Sequence, residues 1–470
     1  MQFGQVDVEA LLPTVPSTRS DLLLWLDMAA QLEHDLMCQY LFAAYSLKTG
    51  LDEGLNEIQL ERARQWGSDI TLIARQEMEH LGIVLNLRSA IGGAPYLSRA
   101  NFRQPMGHYG LSHIKAELTR FDADTIARFR EFEKPHPEPD DPTAWCACNG
   151  DPVPQSGAAD RKPPSGIAGR APLWPPYLRF KNVQDLYTRM ALGFAVVTER
   201  LGEEALFAGP PGAQLYGGTN SPYAGTMDDL NQYGIDIVAV RDLDSAINAI
   251  SEIVEQGEGI QAPPTYRENT HYCLFNGILT DLPAAGFDPA RPVVANPMVF
   301  DHPNTAMDQV NLITCPETRE VGMAFNLGYE LMLSMMMELY GNWNKTPEQR
   351  VALVDAVFFP LMTMFIRPLS EILTVLPAFD EARDPERRHT AGASFELPSA
   401  MSTLPDATIA HRIYQEQLDD LVRRLKGLKI LGMRSDYPDA VARIEYVTES
   451  MERLAMDWRS HWSIVGRTDT

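Results

Sequence analysis

The chain reads as all-α, a four-helix bundle with a long irregular insertion and a further helical region behind it. Two observations carry that reading. Segments with helical hydrophobic spacing cover most of the 470 residues. Two of them hold Glu-x-x-His pairs, Glu77/His80 and Glu268/His271, and a third carboxylate, Glu33, sits in an apolar stripe upstream. Residues three apart on a helix share a face, so each pair offers a carboxylate and an imidazole to one point. Used twice with an inward carboxylate, this pattern builds carboxylate-bridged di-iron or di-manganese sites inside four-helix bundles.

The first helix is expected over about 20–48, with Thr18 or Ser20 as cap and Gly50 as terminator. Its stripe is Leu22, Leu26, Ala29, Leu36, Tyr40 and Ala44, and Glu33 falls inside it. A carboxylate there is costly unless a cation, metal or hydrogen-bond donor compensates it; an arginine such as Arg75 is the bland partner. The second helix spans about 57–90 and stops at Gly92-Gly93-Ala94-Pro95. Its stripe runs Ile70, Ile73, Ala74, Glu77, Leu81, Val84, with His80 beside it and Glu79 reading as solvated. A short loop makes the two an antiparallel hairpin.

Residues 134–177 are dense in proline and glycine and read as an irregular excursion, a crossover or a flap, with Trp145 and Trp174 as anchors. Helical patterning returns over about 183–207, 243–256 and 267–279, the last carrying Glu268 and His271 in its first turn. Further helices are expected at roughly 321–342, 347–376, 406–427 and 438–464; the methionines Met332, Met335, Met336 and Met337 suit a helix–helix core. The division is therefore a metal-binding domain over 1–316 and a C-terminal helical domain over 317–470.

A net charge of -23 argues against a nucleic-acid partner, and no anionic membrane partner is expected. The opening MQFGQVDVEALLPTVPS lacks the basic and apolar regions of a signal peptide. The richest apolar stretch, VDAVFFPLMTMFI, is too short to span a bilayer and contains Pro360. Five scattered cysteines (Cys38, Cys146, Cys148, Cys273, Cys315) fit reduced thiols in a cytoplasm. The lone Cys-x-Cys at Cys146 and Cys148 does not make a zinc site by itself.

The motifs QLEHDLMCQYLFAAYSL, ARQEMEHLGIVLNLRSAIGGAP and AISEIVEQGEG followed by ENTHYCLF resemble the ferritin-like domain of the iminophenyl-pyruvate dimer synthase family, found in enzymes of bisindole pigment and alkaloid biosynthesis. The likeness covers roughly residues 20–285 and continues more weakly through FNLGYE and TAGASFEL; the characterised members are much longer. It implies a ferritin-like bundle with Glu33, Glu77, His80, Glu268 and His271 as metal-binding and catalytic residues. It also implies a sixth ligand at Glu258 of the Gln-Gly-Glu-Gly motif. The third helix departs from the family pattern, reading Val-Gln-Asp-Leu-Tyr over 183–187, which leaves Asp185 and Glu199 as alternatives for that ligand. Tyr40, Tyr187 and Tyr272 are placed to orient the carboxylates.

Four carboxylates and two imidazoles suit iron, two non-haem ions, with manganese as the other candidate, better than zinc. The expectation is an oxidoreductase that uses dioxygen on a small, amino-acid-derived molecule in secondary metabolism, by imine or amine oxidation or by oxidative coupling. The alternatives are a ferroxidase or iron-storage subunit, and a bundle that has lost its metal. The C-terminal helices are expected to support the bundle or to form a homo-oligomer surface.

Overall fold

Thr18 starts the first helix: its side chain accepts from the Asp21 N–H while the Asp21 carboxylate accepts from the Thr18 N–H, a reciprocal cap of about 1 kcal/mol. That helix is α1 (Arg19–Tyr45). Asn56 and Gln59 repeat the device at α2 (Glu57–Ala90), and the turn after α2 uses Gly92 at φ +82°. The computed structural model describes residues 15–104, 115–135, 139, 141–147, 180, 182–217, 234–257, 267–300, 310–341, 345–397 and 401–465.

A short α3 (Ala123–Phe132), absent from the helices expected above, is capped by Asp122 and buries Thr125, Ile126, Phe129 and Phe132. Within the excursion lies α4 (Pro142–Cys146), with Asp141 as cap. There follow α5 (Val183–Leu201), α6 (Glu203–Leu206), α7 (Leu243–Gly257) and α8 (His271–Ala285). The bundle is α1, α2, α5 and α7: α1 packs on α2 and α5, and α7 closes the ring against α5 and α2. Outside it, α8 lies against α2 and α7 and pairs with α3, with α4 on its far side.

The C-terminal helices are α9 (Pro316–Gly341), α10 (Pro347–Ala356), α11 (Arg367–Leu373), α12 (Ala407–Lys426) and α13 (Pro438–Val465). The methionines of α9 named above are buried. α9 starts at the expected domain boundary, yet one apolar core runs from Leu22 to Trp458 without a break there. Beside the bundle a two-residue strand, β1 (Pro297–Met298), runs parallel to β2 (Asn311–Leu312).

Two expectations need correction, the length of the apolar stretch and the state of the cysteines. Helix runs through Pro360 as the expected 347–376 segment requires, with π-helical backbone over Val357–Ile366 whose wider turn accommodates a residue without an N–H. The resulting stretch Pro347–Leu373, 27 residues with a mean hydropathy of 1.6, is long and apolar enough to cross a membrane by length and composition; 44% of its most apolar window is buried among the other helices. The thiols are not all reduced: Cys146 on α4 and Cys273 on α8 form a disulfide, their Cα atoms 5.4 Å apart. The pairing was not legible because the two lie 127 residues apart. Cys38 and Cys315 are buried thiols, and Cys148 lies outside the described residues.

The side of α1 next to Glu33 is fixed by a buried polar network. His34 Nε2 hydrogen-bonds the Tyr329 hydroxyl of α9, and the Arg99 guanidinium stands 3.7 Å from the Asp35 carboxylate. Arg99 also donates to the Phe395 carbonyl, and Gln104 donates to Asp35. Directional contacts between buried polar groups set the rotation of a helix more sharply than apolar contacts do.

Candidate metal centre

Glu33 and Glu77 project from α1 and α2 toward each other across the hairpin, and His80, one turn beyond Glu77, joins them: its Nδ1 is 3.1 Å from Glu77 Oε2 and 3.7 Å from Glu33 Oε2. His271, the first residue of α8, enters from the side, with Nδ1 2.9 Å from Glu77 Oε1. A further carboxylate, Glu133, stands 3.5 Å from the same Nδ1. All five side chains belong to residues no more than 3% exposed. They form two groups that share one member: Glu33, Glu77 and His80, and Glu77, Glu133 and His271, each with its ligand atoms within 4.8 Å of one another. The two imidazole rings lie 5.5 Å apart, centroid to centroid.

Glu133 follows the last residue of α3 and carries the signal that the sequence reading passed over. An Asp cap at Asp122 and apolar residues at Ile126, Phe129 and Phe132 mark a short amphipathic helix that ends at this glutamate. Tyr40 of α1 donates to Glu133, and Tyr187 of α5 donates to Glu33. Tyr272 turns the other way and packs edge-on against Trp145.

Glu268 is not in the cluster. It lies exposed on a 3-10 turn, Arg267–Asn269, and α8 begins only at His271. The helical i, i+3 relation does not extend across that boundary, so the spacing that aligns Glu77 with His80 does not align Glu268 with His271. Glu258 lies outside the described residues, as does Trp174. Immediately before Glu258, Gly257 makes a close approach: a Cβ there would stand 3.2 Å from Glu133 Oε2 and 4.0 Å from His271 Nδ1. Asp185 pairs with Arg189 at 2.8 Å, and Glu199 is exposed. Arg75 pairs with Glu79, not Glu33, at 3.4 Å. Glu79 is buried rather than solvated and accepts from the Asp236 N–H, tying α2 to the segment before α7.

Burial dominates the electrostatics. It raises the Glu33 carboxyl, helped by the charge of Glu77, to about 8, and it raises Glu133 in the same direction. Burial also opposes ionisation of Glu77, but His271 and His80 outweigh it and hold that carboxyl well below its usual range. The same attraction overcomes burial at both imidazoles: Glu77 and Glu33 raise His80 well above its ordinary value, and Glu77 and Glu133 raise His271 to about 9. The protein alone thus balances this cluster with protons.

The donor set fits divalent metal ions, and the fit shows in two atoms. Glu77 Oε1 and His271 Nδ1 are buried and 2.9 Å apart, yet oriented so that neither makes a hydrogen bond. With Glu133 they form a group of ligand atoms within 4.8 Å of one another, and a cation that displaces the His271 proton would satisfy both. Beside Glu33, Glu77, His80 and Glu133 is a cavity of about 10 Å³, completed by Tyr187 and Gly257 and by the apolar Leu36, Val183, Ile253 and Val254, room for one small species.

Bundle and donor set together define a helical-bundle protein with a buried carboxylate–imidazole centre. A ferritin-like family model matches residues 26–280, more than half of the chain, and the chain belongs to that family. Dichlorochromopyrrolate synthase of Lentzea aerocolonigenes is 26% identical over 91% of this chain and 40% of its own length. The 2-imino-3-(indol-3-yl)propanoate dimerase of Chromobacterium violaceum is 25% identical over 91% of this chain and 39% of its own. The chain therefore spans about two fifths of these relatives. The crystal structure of a ferritin-like protein from Caulobacter vibrioides aligns with 72% of this chain and 94% of its own at 16% identity, with a TM-score of 0.41.

Proposed function

We propose that the chain is a non-haem di-iron oxidase or oxygenase that acts on a small, amino-acid-derived molecule in secondary metabolism. The observation that carries the reading is the double role of Glu77, whose two oxygens each face a separate imidazole with a further carboxylate behind it. That is an arrangement for two ions sharing one carboxylate. Glu33, Glu77 and His80 would hold one, and Glu77, Glu133 and His271 the other. When bound, iron (or manganese in the same seats) supplies a binding position and electrons for dioxygen.

The chain's own residues do the remaining work. Tyr187 and Tyr40 hold Glu33 and Glu133 in fixed orientations through their hydroxyls. Burial of the five donors keeps bulk water away from them, which strengthens every charge interaction inside. The cavity has room for one small species, and the organic substrate is assigned to its rim. The substrate class comes from the relatives: one is named for dimerising an imino acid that bears an indole, and oxidative coupling of such an imine is the reaction assigned here.

The test is anaerobic loading with ferrous iron, then oxygen uptake with an aromatic imino acid generated in place by an amino-acid oxidase in the presence of catalase. The expected result is about two ions per chain and oxygen consumption beyond that of the oxidase and catalase alone, with a coupled product. Zinc alone, or no retained metal, would sink the reading. Rapid ferrous oxidation with growth of a mineral core would replace it with an iron-handling role.

A further inference from the structure

We propose that Gln76 and Gln256 are positioning residues that fix the tautomer of the two imidazoles, so that both present Nδ1 to the carboxylates. The inference rests on the metal-centre reading and adds a role for two residues outside the donor set. Each ring faces the carboxylates with Nδ1 and turns Nε2 away. His80 Nε2 is 3.1 Å from Gln256 Oε1, and His271 Nε2 is 3.2 Å from Gln76 Oε1. An amide oxygen only accepts, so Nε2 carries the hydrogen. With Nε2 keeping its hydrogen, the proton that leaves when a cation binds is the one on Nδ1, where His80 faces Glu77 Oε2 in the metal-free cluster, and its departure exposes the Nδ1 lone pair.

The two contacts form a crossed pair. Gln76 reaches from α2 to the imidazole at the start of α8, and Gln256 reaches from the last turn of α7 back to the imidazole of α2. Each ring is therefore oriented by a helix other than its own, and α2, α7 and α8 are locked in register around the centre. Gln76 immediately precedes Glu77, so one turn of α2 supplies both the shared carboxylate and the group that orients His271. The choice of an amide has a chemical consequence. A carboxylate in its place would draw on the Nε2 proton and make the ring a more basic ligand, favouring the higher oxidation state of the metal; a neutral amide orients the ring without that pull.

The pairing predicts a division of labour, since Gln256 serves the Glu33–Glu77–His80 group and Gln76 the Glu77–Glu133–His271 group. The experiment is anaerobic titration of the metal-free full chain with Co(II), followed by proton NMR of the loaded protein for exchangeable imidazole N–H signals shifted by the metal. Wild type should bind in two steps and show two such signals. Gln256→Leu and Gln76→Leu should each weaken one step about 10- to 100-fold and remove one signal. The isosteric Gln76→Glu and Gln256→Glu should restore affinity, which a merely structural role would not require.

Wild-type affinity in both leucine variants, with two Co(II) still bound, would overturn the glutamine role and leave the metal reading standing. Two bound ions whose exchangeable imidazole signals lie close to the β-methylene protons, and not to the ring Cδ2 proton, would overturn it too, because the rings would then ligate through Nε2 and carry the hydrogen on Nδ1. Failure of wild type to bind Co(II) at all would overturn both readings together.

Discussion

The middle of α2 and the approach to α8 carry the same Glu-x-x-His spacing and do different things with it. In α2 both residues lie on one face of an unbroken 34-residue helix, and Glu77 and His80 point into the bundle. Before α8 the chain changes from a 3-10 turn to α-helix between the two residues, so His271 is fully buried while Glu268 faces water. Glu133, from the end of α3, occupies the carboxylate position that Glu268 leaves open. Spacing predicts a shared face only where the helix is continuous, and a buried imidazole finds its carboxylate from whatever element is packed beside it.

The largest effect should come from the residue both groups share. Glu77→Ala removes a carboxylate from each and leaves two buried imidazoles that had been held charged. Loss of both ions is expected, with a destabilisation of the metal-free protein of about 3–5 kcal/mol, as for a buried pair broken on one side. Denaturant unfolding and elemental analysis would measure both; retention of one tightly bound ion would show that the groups are independent.

The start of α8 depends on a second tie that the middle of α2 does not need. Trp145, Tyr272 and Cys273 form a small apolar cluster apart from the main core, and the Cys146–Cys273 disulfide closes it. Cys146→Ser should lower stability by about 2–4 kcal/mol and increase amide exchange in α4 and the first turn of α8, leaving α2 protected. Equal loosening of α2 would count against a local role for the bond.

The pH dependence sharpens the comparison from another side. His271, raised to about 9 from an ordinary 6.5, stabilises the metal-free fold fully below pH 6.5 and loses that contribution as pH rises through 9. Glu33, raised to about 8, acts in the same direction, since its carboxyl must ionise in a buried place as pH rises. Metal binding needs those same protons removed. The Tm of the metal-free protein should therefore fall between pH 6.5 and 9 while the gap to the loaded protein widens. A gap constant over that range would contradict the charge balance described here.

The helices of the bundle and of the C-terminal region were legible in the sequence, because long amphipathic segments with caps are the strongest local signal a chain offers. So were Glu33, Glu77, His80 and His271, the members of the cluster anchored by apolar stripes. Glu133 was missed because its helix is ten residues long, too short for a sustained apolar period, and it ends where the proline-rich excursion begins. Glu268 and Glu79 were misplaced for one reason: face assignment assumed an ideal helix with one buried side. α2 is enclosed on several sides, so Glu79 is buried against Arg75 and the backbone of Asp236. The disulfide and the π-helical passage through Pro360 depend on tertiary packing and leave no local mark.

Smaller effects follow from those corrections. Glu79→Ala should cost about 1–3 kcal/mol, because the Asp236 N–H loses its acceptor, without altering metal content. Glu268→Ala, at an exposed position, should stay within about 0.5 kcal/mol of wild type by thermal unfolding. A larger loss at Glu268 would give that residue a structural task that its exposure does not suggest.

The most direct test is metal stoichiometry in two single variants, Glu133→Ala and Glu268→Ala, each loaded anaerobically with ferrous iron and measured by elemental analysis. The account predicts a drop from about two ions per chain to about one in Glu133→Ala and no change in Glu268→Ala. The reverse pattern, full loading without Glu133 and loss of an ion without Glu268, would contradict it.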